Sequence, residues 1–178
     1  MLKAVFGETK IYIEVPNYDW IVANQTFFDI TYEHVNYFSQ MSLKRLFDVS
    51  ATMHGLLFDE QYQYVIADLA SLNSDFNERY ESQNWEYILF NDLFPNLQAD
   101  INRLDAAAQE HPVYIWGAAT KGCLFLVHCR NSDCLIDKVQ YAIDQNPQKH
   151  GKFLPGSLVP IESKSEFLST VQGEALLI

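Results

Sequence analysis

Cationic side chains are scarce in this chain: 12 Lys and Arg stand against 23 Asp and Glu in 178 residues, a formal net charge of −11 at pH 7. A chain so anionic repels a polyanion, which excludes nucleic acid as an expected partner. Long apolar runs are missing too, since none approaches the roughly 18–20 residues of a bilayer span. The start MLKAVFGETK holds no apolar signal core ending in small residues. A soluble, cytoplasmic protein away from membranes is expected. Cysteine is limited to Cys123, Cys129 and Cys134, an odd number whose spacing fits neither CxxC pairs nor a disulfide framework. With His128 they form a Cys/His-rich stretch, but residues 123–129 read as a helix that turns several of these side chains apart. Reduced thiols and no metal site are expected. There is no internal repeat and no low-complexity tract.

What is present suits a folding chain: 48% hydrophobic and 14% aromatic residues, against about 45–50% apolar in ordinary globular domains. The length allows one ordinary domain or two small or incomplete ones. Residues 10–15 (KIYIEV) read as a strand closed by Pro16-Asn17, whose sheet partner is either later in the chain or missing. Residues 42–49 carry a Ser N-cap with Leu43, Leu46 and Phe47 at helical spacing. Residues 53–58 and 62–69 are two β-rich runs around Asp59-Glu60-Gln61, an antiparallel hairpin. Polar residues 71–85 read as a connector or an exposed helix start. Leu93, Leu97, Ile101, Leu104 and Ala108 then mark an amphipathic helix over 92–110.

A second unit begins at residues 113–116 (VYIW), a short buried strand running into Gly-Ala-Ala-Thr-Lys-Gly at 117–122. A buried helix over 123–129 and a strand over 139–143 complete βαβ grammar, which favours parallel strands. A turn-rich stretch over 144–156, a short helix capped by Ser163 or Ser165, and an apolar strand at 175–178 follow. The expected fold class is α/β.

Three segments have the residue types for chemistry. Asp29, Tyr32, Glu33 and His34 crowd among aromatics in residues 27–39 without clean periodicity. A His beside carboxylates has its charged form favoured and serves as a general base near neutral pH; it equally caps helices or fills a core hydrogen bond. The 117–122 turn lies where a strand meets a helix and can offer backbone N–H groups and a positive helix end to a phosphate. It is no Walker loop, because Cys123 stands where Lys would follow Gly122, and it lacks the third glycine of GxGxxG. Lys121 supplies a cation for a diphosphate, and Asp144, 22 residues after Gly122, stands near the usual distance of a ribose-binding acid. Lys149-His150-Gly151-Lys152 is the one dense positive patch, either a local anion site or a solvated basic turn.

These last two motifs resemble the C-terminal domain of bacterial sugar C-methyltransferases, over residues 113–161. The family's G-A-x-x-K-G turn is met by Gly117, Ala118, Lys121 and Gly122. Its D-x-N-P-x-K-x-G-x-x-x-P-G run is met by Asp144, Asn146, Pro147, Lys149, Gly151, Pro155 and Gly156. IYIEVPN and E-H-x-x-Y-F-S similarly resemble the closing third of that family's S-adenosylmethionine-dependent methyltransferase domain. The resemblance implies a Rossmann-like βαβ C-terminal domain at 111–178. Before it come a connector and helix at 71–110 and, at 1–70, the closing strands and hairpin of an incomplete methyltransferase sheet.

By matching position, His34 becomes the base that removes a proton from the sugar carbon, with Glu33 beside it. Tyr32 is displaced by one place from the family's Y-x-E-H pattern. Gly117, Ala118, Lys121, Gly122, Asp144, Asn146, Lys149 and Gly151 become contacts to a nucleotide-linked sugar or another small molecule. No GxGxG donor loop precedes Ile11 and no cysteine cluster represents the family's zinc module. The chain therefore looks like the last portion of a longer enzyme, itself inactive and without bound S-adenosylmethionine. An exposed strand 10–15 is then expected to self-associate or to be left disordered. A free-standing nucleotide or nucleotide-sugar binding module is the competing reading, and a nicotinamide-dependent oxidoreductase a third.

Overall fold

The computed structural model of the chain describes residues 2–31, 33–73, 88–132 and 134–178, with backbone only for Leu2 and Lys3. Two compact units result: Met1–Phe27 with Tyr32–Phe94, and Phe28–Thr31 with Pro95–Ile178. The expected connector lies mostly outside the described residues.

The first unit holds helices α1 (Leu2–Phe6), α2 (Tyr18–Ala23), α3 (Gln40–Lys44) and α4 (Phe90–Leu93), with strands β1 (Lys10–Pro16), β2 (Thr52–Leu57) and β3 (Tyr62–Asp68). The sheet is antiparallel in the order β1-β3-β2. The predicted hairpin is β2–β3, and the partner sought for β1 is β3, in register from Lys10↔Asp68 to Pro16↔Tyr62. Period-two alternation sends Ile11, Ile13 and Val15 to the face where Val65 and Ala67 meet Leu43 and Phe47. Tyr12 lies on the opposite face, stacked on Tyr64 with ring centroids 5.7 Å apart.

The second unit contains α5 (Leu97–Ala108), β4 (Val113–Trp116), α6 (Thr120–His128), α7 (Leu135–Lys138), β5 (Val139–Ile143), β6 (Ile161–Glu162), α8 (Lys164–Thr170) and β7 (Leu176–Leu177). Its sheet is wholly parallel, in the order β6-β5-β4-β7. Ile101 and Ala108 of α5 join Val113, Ile115, Leu126, Leu135, Ala142 and Ile161 in one core. The expected α/β class therefore holds as a mixed fold with one antiparallel and one parallel sheet. None of the described helices is long and apolar enough to cross a membrane.

Local details differ from expectation for identifiable reasons. The helix expected over 42–49 is α3, and its N-cap is Ser39, extended at φ −69° and ψ 162°, whose hydroxyl accepts from Ser42 N–H. Ser42 sits inside the first turn. The amphipathic run over 92–110 is broken into α4 and α5, because Pro95 forces Phe94 out of the helical region to φ −127° and ψ 65°. The predicted Ser163 cap is present, its oxygen accepting from Glu166 N–H at 3.0 Å.

One glycine fixes how closely α6 approaches β4. A Cβ on Gly122 would stand 2.6 Å from the Gly117 carbonyl oxygen and 3.2 Å from the Ile115 side chain. Alanine favours a helix over glycine by about 1 kcal/mol, but here it meets backbone that has no rotamer to yield. Gly122→Ala is expected to lower unfolding stability by about 1–3 kcal/mol, measured by urea denaturation; unchanged stability would mean the turn and α6 are packed more loosely than this.

Candidate functional site

The turn after β4 and the loop after β5 are tied together by one carboxylate. Gly117 adopts φ 108°, which only glycine takes readily, and its N–H donates to the Ile143 carbonyl at 2.9 Å. Asp144 Oδ2 accepts from Ala118 N–H at 3.1 Å and from Lys149 Nζ at 2.8 Å, while Oδ1 accepts from Asn146 N–H at 2.8 Å. Lys149 Nζ also donates to the Ala118 carbonyl at 2.8 Å. The peptide groups on both sides of Ala118 are thus held by the same ion pair.

The loop reinforces itself. Asn146 Oδ1 accepts from Gln148 N–H, and Gly151 N–H donates to the Ile161 carbonyl. His150 Nε2 lies 2.8 Å from the Asp144 carbonyl; a carbonyl only accepts, so that nitrogen carries the proton. Lys149, with help from the Asn146 amide, holds the Asp144 carboxyl below its ordinary value despite burial.

Sequence reading offered Asp144 and Lys149 as ligands for a ribose and a phosphate; in the structure each is the other's partner. The cation left at the turn's mouth is Lys121, its side chain 66% exposed, 3.4 Å from Asp29 Oδ1 and 4.4 Å from the centre of the Phe28 ring. Ala119 precedes α6 in extended conformation without a side-chain cap. Among the described residues, the N–H groups of Thr120, Lys121 and Gly122 meet no acceptor, as expected for a helix start. One cation and a row of outward amides suit an anionic group.

Glu33 and His34 belong to the first unit, in an irregular, exposed segment. They make no hydrogen bond to one another; the His34 ring meets Tyr37 edge-on at 5.6 Å. Tyr32 lies outside the described residues. What anchors this segment is its far end. The Phe38 carbonyl accepts from Gln63 Nε2 at 2.5 Å and from Tyr18 N–H at 3.1 Å, and Asp19 Oδ2 accepts from Gln40 N–H. Gln63 is fully buried, with its Oε1 3.2 Å from the His54 ring. A lone Gln on the otherwise apolar face of Val65 and Ala67 is the sequence signal for this positioning role.

Cys123, Cys129 and Cys134 are free thiols. Burial and the nearby Asp105 charge push Cys129 up to about 12, so it is neither a nucleophile nor a ready ligand. Among the described residues no three His, Cys, Asp or Glu side chains converge on a metal position.

A parallel α/β unit with a glycine turn, locked by an acid and a lysine from the next loop and presenting cationic, amide-lined ground, is the class that these features define. The chain belongs to the family described as the C-methyltransferase C-terminal domain, which matches residues 75–178. Over 189 aligned residues it is also 28% identical to C-methyltransferase NovU of Streptomyces niveus, an alignment covering 94% of this chain and 43% of that protein. The chain thus spans less than half the length of this curated relative.

The lock has a predictable pH signature. A carboxyl whose folded value lies below its ordinary 3.8 stabilises the fold when ionised, so its contribution is complete above the unfolded value and fades as pH falls through the folded one. Asp144→Asn is expected to cost about 1–3 kcal/mol at neutral pH, and the gap to the wild type should narrow as pH falls below the ordinary carboxyl value of 3.8 toward the lowered folded one. Thermal melts of both proteins from neutral to strongly acid pH measure it; a gap that does not narrow at the acid end would mean that the charge is not the source.

Proposed function

We propose that this chain is the C-terminal portion of an S-adenosylmethionine-dependent C-methyltransferase acting on a nucleotide-linked sugar or a similar activated carbonyl substrate. The observation that carries the reading is the 117–122 turn, with Lys121 and three outward amides, in a domain of a C-methyltransferase family. The second unit is read as Rossmann-like: numbered along the unit its parallel strands run 3-2-1-4, the first four positions of the dinucleotide-binding sheet order. In this reading the 117–122 turn and Lys121 hold the diphosphate. Asp144, Asn146, Lys149 and Gly151 act by fixing the turn's shape.

The reacting carbon, next to a keto group, must lose a proton before it takes a methyl group. His34 serves as the base: its imidazole accepts that proton, leaving an enolate, and Glu33 and Tyr32 act beside it. S-adenosylmethionine would supply the methyl group. Among the described residues, 117–122 is the one strand–glycine–helix turn, and its Ala118 N–H is already engaged by Asp144.

In the full-length enzyme, His34→Ala should slow exchange of the sugar's α-proton with D2O by about 10²–10⁴-fold, with nucleoside diphosphate affinity retained. NMR loss of the proton signal measures the exchange, and an undiminished rate would remove His34 as the base. The isolated chain should also associate through β1, which bonds only to β3 and leaves its other edge open among the described residues. Light scattering showing a monomer at all concentrations would count against this.

A further inference from the structure

We infer that Trp116 is the surface on which the base of a nucleoside diphosphate stacks, a deepening that rests on the phosphate reading of the 117–122 turn. The first three residues of β4 are buried, Val113 at 0%, Tyr114 at 6% and Ile115 at 2% exposure, yet Trp116, at the end of the same strand, is 47% exposed. β4 is an interior strand, flanked by β5 and β7, so an open indole there is not explained by a sheet edge. Among the described residues the indole makes no ring contact, and its Nε1–H meets no acceptor.

Its position is specific. The order β6-β5-β4-β7 reverses direction of travel at β4, and in open parallel sheets ligands lie outside the carboxyl ends of the strands at such a reversal. Trp116 is the carboxyl-terminal residue of that strand, and its N–H is fixed to the Ile178 carbonyl at 2.6 Å. Alternation along β4 separates two roles. Ile115 turns toward α6, where it lies beneath Gly122. Trp116 shares the face of Tyr114, which packs edge-on against Tyr141 and Phe167 of α8.

An anion at the start of α6 and a ring on Trp116 would therefore lie on opposite sides of the same strand end, across the carboxyl edge. A nucleoside diphosphate has this form: a compact anion joined through a ribose to a flat aromatic base. Stacking of one base on an aromatic side chain is worth roughly 1–3 kcal/mol and needs no particular base identity, which suits a residue with no polar partner nearby.

The test titrates the purified chain with uridine diphosphate, thymidine diphosphate and inorganic diphosphate, following calorimetry and tryptophan fluorescence. Trp116→Ala is expected to weaken both nucleoside diphosphates about 10–100-fold and leave inorganic diphosphate unchanged, while Trp116→Phe restores most of the loss. The fluorescence response should vanish in both variants, although Trp20 and Trp85 remain. Lys121→Ala should weaken all three ligands. Equal binding of the nucleoside diphosphates by wild type and Trp116→Ala would overturn the stacking role and leave the phosphate reading standing; so would nucleoside diphosphates that bind no tighter than inorganic diphosphate. If the wild type binds none of the three, both fall together.

Discussion

The second unit depends on an acid–base pair that grips a backbone. Asp144 and Lys149 come from a loop that follows β5, and Ala118 from the turn that follows β4, yet the pair bonds both the N–H and the carbonyl of Ala118. Hydrogen bonds with an ionised partner are shorter and stronger than neutral ones, and here they converge on a single residue. Because Gly117 stands at φ 108° just before it, these bonds and the glycine together set the chain's route from the strand into α6. The direction of the first amides of α6 is therefore a consequence of Asp144, although Asp144 is not among them. The two sequence motifs that carry the family resemblance are the two halves of this one contact.

The first unit reaches a comparable result with neutral groups. Asn17 and Gln63 are buried polar residues that satisfy themselves on backbone: Asn17 Nδ2 on the Glu60 carbonyl, Gln63 Nε2 on the Phe38 carbonyl. A buried amide left unpaired costs about 1–3 kcal/mol, so each strongly disfavours any other placement of the segment it holds. Phe38 is fixed in this way, while Glu33 and His34, a few residues upstream, stay exposed.

How much of this could be read from the amino acids follows a physical line. Strands β1 to β5 were legible because period-two alternation and short apolar runs are local signals, as were the hairpin and the βαβ unit. The break at Pro95 was legible in principle and was overridden by the strong four-residue spacing of Leu93 and Leu97, although a proline disfavours helix in the residue before it. The exchange of Ser42 for Ser39 as a cap was not, since both serines precede the same apolar run. β6 is two residues long and exists only through its pairing with β5, a tertiary fact without a local pattern. In the candidate site, spacing put Asp144 where a ribose-binding acid would stand. That Lys149 would fold back to neutralise it depends on tandem Asx turns five residues long, which composition does not foretell.

Charge then decides which groups remain for an anion. In a chain carrying −11, a phosphate can approach only where local positive potential exceeds the general repulsion. Lys149 does not supply it freely, because its partner is Asp144, which is well shielded and held ionised by several bonds. Lys121 is different in kind. Its contact with Asp29 is longer, at 3.4 Å, and its side chain is largely exposed, the setting in which an ion pair contributes little, about 0–1 kcal/mol. Under the proposed diphosphate role, exchanging that carboxylate for the ligand costs little and adds the amides at the start of α6, whereas exchanging Asp144 would release Ala118 and unmake the turn. The strong pair builds the site and the weak pair is the one a ligand can replace.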